Sequence, residues 1–204
     1  LVAASRDVVL RDNDIARGLY ERMGLDVLGG LSDYRLARVP KTLAALVPPL
    51  PGLRPLQVDE WYATYELALA ATPNLMHWWR PVRADHFQLY IERRLNEAFL
   101  NLMGHSRVAR LVIPNAAKPR QFDAFLLLKM ARWQGQHTLQ LFVHPDERGK
   151  IEYPLIHHAL TMLRDYPIYP IHTSIQATHQ EAADALQRFG FNEMRTLLAM
   201  RKRL

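Results

Sequence analysis

The chain has 204 residues, a length that suits one large domain or one domain plus part of another. Hydrophobic residues make up 49% and charged residues 23%, a composition that indicates a folded globular protein and excludes a disordered chain. The sequence contains no cysteine, which excludes disulfides, thiolate nucleophiles and cysteine-ligated zinc, and makes the cytoplasm the default compartment. The net charge of +6 is dispersed, with no basic helix carrying interleaved aromatic residues. Nucleic-acid binding therefore ranks last among the functions considered.

The first 40 residues predict three elements, a strand at 8–10, a helix at 15–23 and a strand at 33–39. Asp12 or Asn13 can cap the helix, and Gly24 stands where a helix end favours a residue that accepts positive φ. A proline-rich segment at 41–51 follows. Proline fixes φ and lacks a donor, so we expect a linker of limited flexibility and a domain boundary there.

Beyond the linker, helical and extended patterns alternate. Helices are predicted at 58–69, 87–102, 153–163 and 181–189, and strands at 107–113, 122–133, 138–143, 171–176 and 194–200. A meander of three strands followed by alternating helices and strands predicts a mixed α/β sheet. No apolar run approaches the roughly 18–20 residues that cross a bilayer, so no membrane segment is predicted.

The chain also repeats itself weakly. Residues 13–25 align with residues 179–191 at a spacing of 166 residues, with identities at Ala16/Ala182, Arg22/Arg188 and Gly24/Gly190. Both copies have the organisation strand, helix, apolar-Gly-apolar, strand. Two copies of one terminal unit, separated by one domain length, indicate a tandem repeat.

These features resemble the GNAT superfamily of acyl-CoA-dependent N-acyltransferases. The segment GLRPL at 52–56 resembles the family's opening strand, and HPDERGK at 144–150 after a strand resembles its strand–loop–helix for the CoA pyrophosphate. The resemblance implies a mixed, mostly antiparallel sheet flanked by helices. It divides the chain into a strand–helix–strand remnant of a first copy (1–40), docked on the second copy or on a partner chain, a linker (41–51) and a complete domain (52–204).

The resemblance also implies transfer of an acetyl group from acetyl-CoA to a primary amine. The backbone N–H of Val143 would stabilise the thioester oxyanion, His144 would act as a base through a water, and Arg148, Gly149 and Lys150 would hold the pyrophosphate. Arg148 is expected on an exposed turn.

In the first copy, Tyr20 fills the place of the family's general acid, and Asn13 fills the place of the Asn that precedes its helix, here counted with the cofactor-binding residues. No metal site is expected, because the adjacent His157 and His158 point about 100° apart on a helix.

A second interpretation stays open beside the first. Glu152 puts a negative charge near the phosphate position, Pro154 removes a donor, and Leu186 and His179 replace the family's Tyr and Asn. These departures favour a non-catalytic GNAT-like domain that serves as a scaffold or binding module. The chain starts at Leu1 rather than Met, so we expect it to be processed or incomplete, with a homodimer or a missing N-terminal domain as its partner.

Overall fold

The computed structural model describes residues 6–43, 47–88 and 91–202. The strands are β1 (Arg6–Leu10), β2 (Leu25–Leu36), β3 (Arg54–Pro55), β4 (Ser106–Pro114), β5 (Phe122–Ala131), β6 (His137–Val143), β7 (Ile171–Gln176) and β8 (Asn192–Lys202). The helices are α1 (Asp14–Arg22), α2 (Trp61–Ala71), α3 (Asn74–Trp79), α4 (Ile91–Leu102), α5 (Glu152–Met162) and α6 (Gln180–Arg188).

All these strands belong to one sheet of order β1-β8-β2-β7-β6-β5-β4-β3. Neighbouring strands are antiparallel except β6 and β7, which run parallel and are joined through α5. The prediction of a mixed, mostly antiparallel sheet flanked by helices is confirmed. None of the helices within the described ranges is long and apolar enough to cross a membrane.

Helices pack on both faces of the sheet. Alternate residues of β5 face opposite sides, so Ala124, Leu126 and Leu128 join the large core formed with α5 and α6. Phe125, between them in the sequence, packs on the other face against Leu67 of α2. The functional region described below lies on this second face and at the β6–β7 junction.

The predicted ends of the two repeated helices are confirmed. The side-chain oxygen of Asn13 accepts a hydrogen bond from the Ala16 N–H at 3.0 Å, which satisfies one of the free amides of the first turn of α1. Gly24 and Gly190 follow α1 and α6 with φ of 80° and 85°, a conformation that glycine adopts without steric cost.

Residues 6–36 form a strand, a helix and a strand, but the predicted bounds of the second strand, 33–39, are wrong at both ends. β2 is hydrogen-bonded to β7 on one side and to β8 on the other. Residues 6–36 are thus interleaved with the strands of the later segment in a single sheet, rather than placed on the surface of a finished domain. A division of the chain into units at 41–51 stays a prediction.

The repeat spacing of 166 residues reappears in the pairing of the strands. Leu31 of β2 lies opposite Leu197 of β8, its own repeat equivalent. Adding 166 to Val9 and subtracting it from Leu198 converts that β1–β8 pair into Ile175 opposite Ser32, which is the observed β7–β2 pair. The four strands β1, β8, β2 and β7 are therefore related in register by a local pseudo-twofold axis through the β2–β8 pair.

Candidate functional site

The two parallel strands β6 and β7 separate after a short paired stretch. Pairing covers only His137–Leu139 of β6 and Ile171–Thr173 of β7, whereas the strands continue to Val143 and Gln176. Beyond Leu139 and Thr173, the facing edges do not pair with each other. Unpaired backbone groups at this opening can bind an extended ligand by strand-like hydrogen bonds.

A cavity of about 540 Å³ lies at this opening, on the face covered by α2. Its walls come from the diverging strands, from α2 and from the segment after α3. The polar or charged side chains in its lining include Thr64, Thr72, Arg80, Arg83, His86, Arg110, Thr138, Gln140, Ser174, Gln176 and His179. Apolar walls with a few polar groups are typical of small-molecule sites.

Most of the positive charge at this cavity is compensated. Arg83 forms a two-bond ion pair with Asp85 at 3.2 and 3.0 Å, and Arg110 forms one with Glu97 at 2.8 and 2.6 Å. Arg80 is exposed, and its charge contributes to lowering the pKa of Asp33.

Asp33 itself connects three strands beside the cavity. The Ser174 hydroxyl of β7 donates to one carboxylate oxygen of Asp33 at 2.6 Å, and Nε of Arg195 from β8 donates to the other at 2.7 Å. Burial raises the pKa of Asp33, but these two hydrogen bonds and the nearby Arg charges lower it by more, so the carboxyl titrates below 3.8.

The turn between β6 and α5 is closed by its own carboxylate. Gly149 has a φ of 82°, and its N–H donates to Oε2 of Glu152 at 2.8 Å. Glu152 is only 1% exposed, and its Oε1 lies 2.8 Å from Nε2 of His179, the residue that precedes α6. An anion position at the start of α5 is therefore filled by a side chain of the chain itself.

The two cations of this turn point elsewhere. A guanidinium nitrogen of Arg148 donates to the carbonyl of Ala71 at the end of α2 at 2.9 Å, and Nε of Arg148 is buried without a hydrogen-bond partner. Arg148 is thus half-buried, and the expectation that it lies on an exposed turn is wrong. Lys150 donates to the carbonyl of Asp146 and to the carboxylate of Glu147, each at 3.2 Å.

Val143 and His144 end β6. Val143 is fully buried and lines the cavity. Nδ1 of His144 accepts the N–H of Asp146 at 3.4 Å and lies 3.6 Å from the Asp146 carboxylate, so its ring is turned toward the following turn. His144 does not belong to the cavity lining.

The structure does not bring the first-copy candidates to this place. Asn13 uses its side chain to cap α1, and Tyr20 packs with Val9, Leu25 and Met200 in a separate small core. In the sheet, β8, β2 and β7 lie between β1 and β6. Tyr20 and Asn13 are therefore remote from Val143 and from the turn at 148–150.

Sequence reasoning missed the pairing of Glu152 with His179. Each residue departs from the family pattern and each stands at the start of a helix, which was a readable signal, but their meeting depends on how α5 and α6 pack. Among the described residues no group of three or more side chains has the composition of a metal site.

Comparisons with known proteins bear on the fold. Neither a family model nor a curated protein sequence matches this chain. Among solved structures, the chain is similar to a GCN5-related N-acetyltransferase from Sphaerobacter thermophilus, with 15% identity, a TM-score of 0.53 and coverage of 98% of this chain and 59% of that one.

Two further solved structures agree. A GCN5-related N-acetyltransferase from Anabaena variabilis is 10% identical with a TM-score of 0.52, covering 96% of this chain and 45% of that one. One from Kribbella flavida is 13% identical with a TM-score of 0.50, covering 97% and 67%. The chain thus has the fold of the GCN5-related N-acetyltransferases, and it spans about three fifths of the length of the first of these structures.

Proposed function

We propose that the protein takes part in N-acyl transfer from acetyl-CoA to a primary amine, and that residues 52–204 support this reaction without holding CoA themselves. The observation that carries the second part is the buried Glu152 carboxylate on the Gly149 N–H. The first part is supported by the fold and by the opening between β6 and β7.

The turn after β6 does not fit a pyrophosphate. Such a group needs free backbone N–H donors at a helix N-terminus and cations beside them. Here the Gly149 N–H is used, a second anion would meet the Glu152 charge, and Arg148 is directed to Ala71. Expelling Glu152 would also break its contact with His179, which is buried as well.

The unit at 1–40 keeps the residues to which the resemblance gives a chemical role. Asn13 precedes its helix and Tyr20 stands four residues before Gly24, where the later unit has His179 and Leu186. Under this proposal, acetyl-CoA and the amine belong to the first copy, and residues 52–204 complete its sheet by inserting β8 between β1 and β2.

A second candidate places the transfer at the β6–β7 opening itself. Its support is the cavity of about 540 Å³ with Val143 in its wall, at the strand whose backbone N–H the resemblance assigns to the oxyanion. In that case His144 would serve as the base, and Arg148, Gly149 and Lys150 would have to be released from their present contacts to bind phosphate.

Calorimetry with acetyl-CoA on the described chain separates the two candidates. The proposal expects no binding at millimolar acetyl-CoA for the unmodified protein. The second candidate expects micromolar binding that Lys150→Ala weakens by about ten- to a hundredfold, since a charged phosphate contact contributes roughly 1.5–3 kcal/mol. Lys118→Ala, an exposed lysine outside the turn and the cavity lining, is the matched control and should leave affinity unchanged.

A further inference from the structure

The pseudo-twofold relation makes β1 the equivalent of β7 and α1 the equivalent of α6. The two strand–helix pairs differ in what covers them. The outer edge of β7 is paired with the parallel strand β6, and α6 packs against α5. Phe189, at the end of α6, stacks on Tyr153 of α5 with ring centroids 4.6 Å apart.

β1 and α1 lack both of these neighbours within the described residues. β1 ends the sheet, with β8 as its neighbour on one side and no described strand on the other. Ala185 and Phe189 of the α6 unit are 4% and 6% exposed, whereas their equivalents Leu19 and Met23 are 51% and 56% exposed. Two large apolar side chains therefore face solvent at the positions that α5 covers in the other copy.

We propose that the outer edge of β1 and the Leu19–Met23 face of α1 form one docking surface for a strand followed by a helix. The occupant is a segment of the same polypeptide, within about 40 residues before Leu1 by the repeat spacing, and it is the counterpart of β6, its turn and α5. The strand pairs in parallel with β1, and the helix covers Leu19 and Met23.

Two physical arguments favour this occupant. An unpaired strand edge exposes a row of N–H and C=O groups, and proteins normally cover such edges. The interface is also one that the molecule already makes, since β6 and α5 cover β7 and α6 in the same sheet. A second copy of this chain could not supply the same elements, because its own β6 and α5 are engaged with β5, β7 and α6.

The test compares the 204-residue chain with the full-length polypeptide that extends before Leu1. Leu19→Lys combined with Met23→Lys should leave the melting temperature of the 204-residue chain within about 1 °C, because both side chains are already in water. In the full-length polypeptide the same pair should lower the melting temperature by about 5 °C or more and speed amide exchange in β1 at least tenfold. Leu102→Lys, at an apolar residue of α4 that is 84% exposed and has no repeat equivalent, is the control and should change neither protein.

Three results would overturn the proposal. One is an equal effect of the double variant on the two polypeptides. Another is β1 amides that exchange as fast in the full-length polypeptide as in the 204-residue chain. The third is sedimentation of the 204-residue chain as a dimer that the double variant dissociates, which would make a second copy the occupant. None of these readouts depends on acetyl-CoA, so failure here is distinct from failure of the proposed function.

Discussion

Glu152 carries the functional interpretation, and its contacts make a prediction about stability. Glu152→Ala removes the acceptor of both the Gly149 N–H and the His179 ring, and a buried polar group left unsatisfied costs about 1–3 kcal/mol. We expect the free energy of unfolding in urea to fall by that amount, and Glu152→Gln to cost less because its amide oxygen can still accept from Gly149. The exposed Glu181→Ala, also in the first turn of a helix, is the control. A loss below about 0.5 kcal/mol for Glu152→Ala would show that the contact is not formed in solution.

Arg148 makes the opposite prediction to that expected of a phosphate ligand. Because its guanidinium donates to the Ala71 carbonyl and ties the turn to the end of α2, Arg148→Ala should lower the free energy of unfolding by about 1–2 kcal/mol. The unfolding midpoint in urea measures this. An unchanged midpoint together with weakened acetyl-CoA binding would return Arg148 to the phosphate-binding role.

His137 predicts a pH dependence. Burial lowers its pKa below the usual 6.5, against an opposing hydrogen bond to the Pro167 carbonyl. Nδ1 of His137 accepts the Ala131 N–H at 3.1 Å while Nε2 lies 3.0 Å from the Pro167 carbonyl, an arrangement that suits the neutral ring. The unfolded chain thus takes up the proton first as pH falls, so this contribution to stability is present above about 6.5 and is lost as pH falls through the folded pKa. Between pH 7.5 and 5, the unfolding free energy of His137→Gln should decline less than that of the unmodified protein, and equal declines would contradict the assignment.

At the scale of elements, two glycines give a matched pair. A Cβ on Gly30 would lie 2.5 Å from the Leu197 carbonyl oxygen, beside the pseudo-twofold axis. Gly30→Ala should therefore force β2 and β8 apart and destabilise the protein by about 1–3 kcal/mol. Gly18→Ala lies in α1 with nothing within 4 Å and should stabilise it by about 0.5–1 kcal/mol. Thermal unfolding compares the two, and a tolerated Gly30→Ala would contradict the close approach of these strands.

The same elements show what the sequence can predict. α1 and α6 were predicted to within a residue or two because caps and terminal glycines are local signals, and the bounds 171–176 predicted for β7 are those observed. The start of β2 was missed because Gly29 and Gly30 interrupt the apolar alternation, and the reason for Gly30 lies across the sheet at Leu197. The direction of Arg148 was missed because its acceptor, Ala71, lies 77 residues away.

At the scale of the whole molecule, the order of strands was beyond sequence reasoning. The repeat at 13–25 and 179–191 was visible, but nothing local indicates that β2 is inserted between β7 and β8. Strand exchange between copies conserves every local pattern and changes only which edges meet. The candidate site follows the same division, because the turn at 144–150 was recognisable whereas its closure by Glu152 and His179 required the packing of two helices.

Both proposals depend on β2 being an internal strand, and hydrogen exchange measures this most directly. The amides of Leu31 to Leu36 should exchange as slowly as those of β7, through global unfolding only, because β2 is bonded on both edges. Exchange of these amides within seconds, while β7 stays protected, would mean that residues 6–36 are a loosely attached arm, and would contradict the interleaved sheet.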